Sequence, residues 1–293
     1  MNGYGNAGSM KEQITSLREY KEIIKEAREG ITSRIMNLAL LTDEVQRYIS
    51  LGRMYVLKYN TGIQILLDEE SYYRCFFIWE EGASFGVEKQ DKPLLVRLPY
   101  KHRTESATTT LDSMLEKSGF LLKDTSAQIV VDAGGDGTQY QKQFERMRNL
   151  IERGNFSVKY ADVKDLEQIR ALRDADQTFS RYHFTYKTET EWKHSIENGY
   201  IRCIYNENGQ VVAAQQFDVD DVGIQGEWIS VLDEYKNNYG FGMVLAYQSL
   251  VYANEKKKRF YGWVVSANER SVRYHMKLGY QFTGRYVKDW VLE

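Results

Sequence analysis

The chain is written twice, and a duplication limits the folds open to it more than any other feature. The stretch LTDEVQRYISLGRMYVLKYNTG (residues 41–62) is echoed by KTETEWKHSIENGYIRCIYNENG (187–209). Gly52 and Gly62 recur as Gly199 and Gly209, 147 residues on in both cases (199 − 52 and 209 − 62), and Ile49 recurs as Ile196 at the same offset. Each copy reads as a helix stopped by glycine, a strand, a hairpin turn (NTG or ENG) and a second apolar strand (IQILL or VVAAQQF). Further on, LDSMLEKSGFLL (111–122) is echoed by SVRYHMKLGYQF (271–282), now at an offset of 160 (279 − 119). The second copy therefore carries 13 extra residues (160 − 147), and they fall at the glycine loop and helix of NNYGFGMVLAYQSL (237–250). The first copy runs from YYRCFFIWEEG through ASFGVEKQDK to PLLVRLPY and has no such element.

Between the copies, Tyr140, Phe144, Met147 and Ile151 fall at helical spacing and predict a helix from about Thr138 to Arg153. The reading is of a first domain over 1–135, opened by a flexible leader over 1–10, a linker helix over 136–155 and a second domain over 156–293. A chain of 293 residues has room for two domains of ordinary size.

Composition removes several classes of function. Lys plus Arg number 39 against 41 for Asp plus Glu, a formal net charge of −2, so no overall field draws the chain to nucleic acid or anionic lipid. The basic run NEKKKRF (254–260) reads as a solvated helix end. Cys75 and Cys203 form no CxxC pair, and His102, His183, His194 and His275 show no ligand spacing, so neither a disulfide framework nor a metal site is expected. No apolar run reaches the length of a membrane span and the N-terminus has no signal-peptide core. These features predict a cytoplasmic protein without a membrane or nucleic-acid partner, monomeric or homodimeric.

The stretch IVVDAGGDGT (129–138) is similar to the GGDGT signature of lipid and NAD kinases, where the aspartate, here Asp136, serves phosphoryl transfer. The next residues, QYQKQFERMRN, are too polar for the helix such kinases pack behind the motif, and no second glycine-rich phosphate loop accompanies it. An interdomain glycine turn is the simpler reading.

In the second copy a strand (FSVKYA) and a helix (DVKDLEQIRALRDA) lead to an aromatic-rich stretch, two hairpin strands and GEWISVL. The glycine loop, its helix, strand RFYGWVV, helix NERSVRYHMKLG and a last strand region come after them. This order and its motifs resemble the GNAT superfamily of acetyl-CoA-dependent N-acetyltransferases, over about the last 140 residues. VLDEYKNNYGFG (231–242) looks like the family's pyrophosphate loop, V-x-P-x-[YF]-[QR]-x-x-G-x-[GA], with one residue more between Val231 and Gly240. NERSVRYHMKLGY (268–280) is similar to N-x-x-[AS]-x-x-x-[YH]-x-x-x-G-[FY] at Asn268, Ser271, His275, Gly279 and Tyr280. The strand before the loop carries an acid, Glu227. The resemblance implies an α/β protein of two GNAT-like domains, each a mixed, mainly antiparallel sheet flanked by helices, the first degenerate for want of the loop and its helix.

The resemblance also implies acetyl-CoA as cofactor and direct transfer of its acetyl group to a primary amine of a small molecule or peptide. Backbone amides of Asn238, Tyr239, Gly240, Phe241, Gly242 and Met243 would hold the pyrophosphate, with Lys236 or Asn237 in the place of the family's Gln or Arg. The main chain of Val231 and Leu232 would pair with the pantetheine arm, and Asn268 and Ser271, one helical turn apart, would reach it from the other side. Period two puts Glu227, Ile229 and Val231 on one strand face, where Glu227 would take the amine's proton; a surface carboxylate or an ion pair with Arg202 is the plainer alternative. His275 follows Ser271 by four residues, and an ordinary imidazole pKa of ~6.5 would suit it to protonate the leaving thiolate, with Tyr274 as the other candidate; a helix-face histidine capping a carbonyl is the plainer alternative. DADQTFSRYHF (174–184) offers Asp174 and Asp176 to attract an ammonium and Phe179, Tyr182 and Phe184 to wall it, unless it is a plain loop with core aromatics. The competing function is a non-catalytic acyl-CoA sensor.

Overall fold

The computed structural model describes residues 11–101, 105–132, 138–175, 182, 184–236 and 239–293. The first copy contributes β1 (Glu12–Gln13), α1 (Leu17–Gly30), β2 (Arg34–Met36), α2 (Thr42–Ser50), β3 (Met54–Tyr59), β4 (Gly62–Asp68), β5 (Tyr73–Glu80), β6 (Leu94–Lys101), α3 (Glu105–Lys117) and β7 (Leu121–Val131). After α4 (Thr138–Arg153), the second contributes β8 (Ser157–Tyr160), α5 (Leu166–Ala175), α6 (Glu189–Glu197), β9 (Ile201–Tyr205), β10 (Val211–Val219) and β11 (Ile224–Val231). Its last elements are α7 (Phe241–Lys256), β12 (Phe260–Val265), α8 (Glu269–Lys277) and β13 (Gln281–Leu292).

The two copies share one pairing plan. β1–β3–β4–β5 run antiparallel and β6 lies parallel to β5; β8–β9–β10–β11 run antiparallel and β12 lies parallel to β11. Matched glycines also share a backbone conformation. Gly52 and Gly199 follow α2 and α6 at φ 68 and 69, and Gly119 and Gly279 follow α3 and α8 at φ 89 and 86. A left-handed residue of this kind ends a helix with little strain only when it is glycine.

Folding divides the chain differently from its sequence. One unit takes the described residues of 1–124, 182–186 and 287–293, the other those of 125–181 and 187–286. In the second unit β12 pairs antiparallel with the first copy's last strand, from Phe260↔Val131 to Val265↔Ser126. In the first, β6 has β13 as its neighbour. Each unit is thus completed by the other copy's final strand, so the boundaries at 135 and 156 give way to an exchange. The helix predicted between the domains forms over Thr138–Arg153 but does not stand free as a linker. Phe144 stacks on Tyr247 of α7 with 4.0 Å between ring centroids, and Ile151 is buried.

In the second unit α5 and α6 cover one sheet face through Leu166, Ile169, Leu172 and Trp192, while α7 covers the other through Phe241, Val244 and Leu245. The first unit has α1 and α2 on the corresponding face, packed through Ile24, Val45 and Tyr48. Residues 81–93 form no helix there. Phe85 takes the helix's place, with its ring 5.0 Å from Phe77 and 4.7 Å from Trp79. No helix among the described residues is long and apolar enough to cross a membrane.

Gly62 and Gly209 match in sequence but not in duty. Gly209 turns a hairpin at φ 76, whereas Gly62 has no positive φ and is constrained by space. A Cβ on Gly62 would lie 2.4 Å from the Ile78 carbonyl oxygen and 2.6 Å from the Trp79 ring. Gly62→Ala is therefore expected to cost about 2–3 kcal/mol in a urea titration, since the blocking atom is backbone and cannot step aside. Gly209→Ala, with open space around it, is expected to cost about 1 kcal/mol from backbone strain alone.

Candidate functional site

β11 and β12 begin as neighbours and then part. Their parallel pairing covers only Ile224↔Phe260, Gln225↔Tyr261 and Gly226↔Gly262, after which β11 stays with β10 and β12 with β7. A V-shaped opening results, lined on one side by β11 main chain. The Leu232 N–H donates to the Val212 carbonyl at 3.0 Å. Alternate residues of a strand direct their N–H and C=O to opposite edges, so Ile229 and Val231 direct theirs into the opening. Leu232 thus leaves the predicted set, because its amide serves the sheet, and Ile229 replaces it.

The N-terminus of α7 lies at this opening. Gly240 takes the left-handed conformation (φ 66, ψ 27) and caps the helix. Its carbonyl accepts the N–H of Met243 (3.0 Å) and of Val244 (3.2 Å); helix geometry directs the N–H groups of the residues before them, Phe241 and Gly242, out of the helix end. The first turn holds no acidic residue to oppose an anion. Phe241 is buried and stacks on Tyr239 at 5.2 Å, with Phe156 at 5.0 Å, which pins the loop to the sheet. A Cβ on Gly242 would lie 3.8 Å from Tyr274 Oη and 3.9 Å from Ile229 Cγ2. Helix end, open strand edge and Tyr274 therefore converge on one spot that is bare because residue 242 has no side chain. Lys236 pairs with Asp233 at 2.6 Å. Asn237 and Asn238 lie outside the described residues.

α8 presents its motif residues with local duties. Asn268 caps the helix, its Oδ1 accepting the Ser271 N–H at 3.0 Å. Ser271 Oγ donates to Tyr274 Oη at 3.1 Å and sits 3.3 Å from His275 Nδ1. His275 Nδ1 lies 2.8 Å from the Ser271 carbonyl oxygen, which can only accept, so Nδ1 carries the proton. Burial pulls the His275 pKa down to about 4, the carbonyl bond opposing it. The ring is consequently neutral at pH 7 and its one proton is committed. The expectation of an imidazolium donor fails because it assumed an ordinary pKa where burial sets another. Tyr274 keeps its proton beside Gly242: burial pushes its phenol up, so the O–H stays intact at neutral pH.

Glu227 stands at a break in register. β10 pairs Gln216↔Trp228 and next Phe217↔Gly226, so Glu227 is the extra residue of a β-bulge. Ile229 packs with Val244 and Leu245 on the α7 face, while Trp228 packs on the α5–α6 face and donates to Gln216 at 3.1 Å. Gln225 Nε2 donates to Glu227 Oε1 at 2.9 Å, and Gln225 is in register with Asp218 and with Tyr261. Glu227 thus shares the face of Trp228, opposite Ile229, because the bulge interrupts the period-two rule. Arg202 is in register with Gln215, and Gln215 with Ile229, so it lies on the far face, where it donates to Gln248 (3.2 Å) and Tyr160 (2.8 Å).

Three residues that sequence reasoning missed share the Glu227 face. Tyr261 donates to Asp220 at 2.6 Å, and burial, then Asp220, Glu227 and Asp218, push its phenol far up. Trp263, two residues on, is 38% exposed and is in register with Gln128 from the first copy. Period two from Phe260 marks Tyr261 and Trp263, but no local signal marks Gln128, which arrives by strand exchange. The predicted acceptor loop goes elsewhere. Asp174 pairs with Arg173 at 2.8 Å, while Asp176 and Phe179 lie outside the described residues. Tyr182 is 4% exposed in the core of the first unit with Tyr72, Leu95 and Val291, which leaves its ring no free face. Phe184 belongs to the same unit, its carbonyl accepting from Tyr72 Oη at 3.3 Å. Asp136 also lies outside the described residues.

Neither models of protein families nor curated protein sequences give a match to this chain. Among solved structures it is similar to the GCN5-related glucosamine N-acetyltransferase region of a fungal multi-domain GH3 β-N-acetylglucosaminidase. There the TM-score is 0.61 at 10% identity, over 100% of this chain and 39% of that one. It is similar to a GCN5-related N-acetyltransferase from Sphaerobacter thermophilus (TM-score 0.53, 9% identity, 96% of this chain and 94% of that one). A tandem GNAT protein from the clavulanic acid biosynthesis pathway gives a TM-score of 0.50 at 10% identity, over 97% and 98% of the two chains. The chain thus spans well under half of the first protein and nearly all of the other two. At such identities the likeness is one of fold, and the fold is two GNAT-like units in tandem.

Proposed function

We propose that this tandem GNAT fold is an N-acyltransferase that moves an acetyl group from acetyl-CoA to a primary amine of a small molecule or peptide, at one site per chain. The observation that carries the reading is the convergence of the β11–β12 opening, the outward Phe241 and Gly242 N–H groups and Tyr274 Oη on the bare face of Gly242. Acetyl-CoA would supply an anionic pyrophosphate, an extended amide arm and an activated acyl carbon. Phe241 and Gly242 would hold the pyrophosphate with two backbone donors and the helix dipole. Ile229 and Val231 would hold the arm by strand-like main-chain bonds. Glu227 would accept the ammonium proton on the α5–α6 face, and Tyr274 would give its proton to the departing sulfur. The first unit, having no helix over 81–93, offers no counterpart to the anion seat.

The test is release of CoA thiol from acetyl-CoA over a panel of primary amines of graded charge. Release that requires both acetyl-CoA and an amine supports the reading. Acetyl-CoA binding without release on any amine favours the sensor, and no binding at all overturns both.

A further inference from the structure

The Ser271 side chain is engaged within its own helix. The Asn268 cap takes its backbone N–H, and its hydroxyl faces two side chains of α8. One is Tyr274, with Oη at 3.1 Å, and the other is His275, with Nδ1 at 3.3 Å. Nδ1 carries the ring's proton, because it lies 2.8 Å from the Ser271 carbonyl oxygen, which can only accept. Ser271 Oγ therefore cannot give its hydrogen to Nδ1, and gives it to Tyr274 Oη. The Tyr274 and His275 rings lie side by side, with 4.3 Å between their centres.

An oxygen that accepts from Ser271 keeps its own hydrogen for another acceptor. Among the described residues Tyr274 Oη has no second hydrogen-bond partner. Beside it is the bare face of Gly242, where a Cβ would lie 3.8 Å from Oη. Burial pushes the Tyr274 phenol up, and the Ser271 hydroxyl and Arg270 pull it back. A donor to Oη has that sign because it stabilises the phenolate more than the phenol. The other titratable neighbours on the described residues are His275, neutral at pH 7, and Tyr280, whose phenol burial holds protonated. Gly242 of α7 and Ile229 of β11 bring no charge.

We propose that Ser271 is a positioning residue for the transfer: its hydroxyl, oriented by the protonated Nδ1 of His275, donates to Tyr274 Oη and so turns the phenol's hydrogen toward the bare face of Gly242. Ser271 acts through Tyr274 and does not reach the pantetheine arm, the duty that the motif implied for it. In the step assigned to Tyr274, its O–H bond breaks and an S–H bond forms on the departing sulfur. The phenolate left behind keeps the Ser271 hydrogen bond, now charge-assisted, and regains a proton from water once the thiol has gone. His275 has an orienting duty in place of the proton it cannot give. The catalytic half of this proposal rests on the transferase reading; the hydrogen bond does not.

The test uses the full chain with trifluorotyrosine at position 274 alone, a phenol acidic enough to titrate while the protein stays folded, read by fluorine NMR. Ser271→Ala is expected to raise the midpoint by about one pH unit or more. Ser271→Thr, which keeps a hydroxyl, is expected to stay within about 0.3 unit of wild type. The Asn268 cap uses the Ser271 backbone N–H, so neither variant removes it. With the natural tyrosine, Ser271→Ala is expected to lower kcat by about three- to tenfold. Calorimetry is expected to show its acetyl-CoA affinity within about twofold of wild type. Added to Tyr274→Phe, it is expected to slow turnover no further. An unmoved midpoint overturns the hydrogen bond. A moved midpoint with unchanged kcat, or additive losses in the double variant, overturns the positioning role. A loss of acetyl-CoA affinity of about tenfold or more returns Ser271 to the arm and overturns that role as well. If the wild type releases no thiol with any amine, the transferase reading falls and the positioning role with it, and the midpoint still decides the hydrogen bond.

Discussion

Gly242→Glu is expected to abolish acetyl-CoA binding while leaving the fold intact. The backbone at 242 is ordinary helix, and a Cβ there would make no contact closer than 3.8 Å, so the change should not unfold α7. Glutamate is also a better helix former than glycine. What the substitution adds is a side chain on the bare face between Tyr274 and Ile229, and a negative charge at the helix end where the pyrophosphate is proposed to bind. Losing two charge-assisted hydrogen bonds and gaining a like-charge clash is worth a factor of about 10³ or more in Kd. Gly242→Ala separates size from charge, and a change of about threefold or less is expected for a methyl in ordinary contact. Calorimetry with each variant, beside thermal unfolding of each, reads both effects.

The second large effect concerns Glu227. Glu227→Gln is expected to leave acetyl-CoA affinity nearly unchanged and to slow turnover by about 10²-fold or more. The residual rate should climb with pH as more of the amine becomes free base in solution. Tyr274→Phe removes the phenol proposed as proton donor beside Gly242, and a loss of about 10- to 100-fold in kcat is expected, modest because a thiolate leaves tolerably without help. His275→Phe should stay within a few-fold of wild type. Its ring is neutral above a pKa of about 4, so it can set no limb of the pH–rate profile near neutrality. The sign matters for stability as well. A histidine whose folded pKa is lowered binds its proton more readily unfolded, so its burial favours folding above the unfolded value near ~6.5. That contribution fades as pH falls towards about 4. If His275→Phe were as slow as Tyr274→Phe, the donor assignment would be wrong.

Much of the fold was legible because its markers are local. Helix-ending glycines at constant offsets return as matched left-handed residues at Gly52 and Gly199, and the missing 13 residues return as the missing helix between β5 and β6. Three things were not legible, each for a physical reason. A β-bulge turns Glu227 to the opposite face from Ile229, and bulges follow from pairing across strands rather than from one strand's pattern. Burial resets His275, and burial depends on what packs over α8. The exchange of β7 and β13 and the capture of Tyr182 and Tyr186 by the first unit are long-range contacts with no local signature. For that reason Tyr182, read as a wall for substrate, proves to be core, and Gln128 went unnoticed beside Trp263.

The most direct measurement is a calorimetric titration of acetyl-CoA into the full wild-type chain, read for stoichiometry. One site per chain is expected, lost in Gly242→Glu and retained in Glu227→Gln. Two sites per chain, or a single site that survives Gly242→Glu, would contradict a donor seat built from the N-terminus of α7.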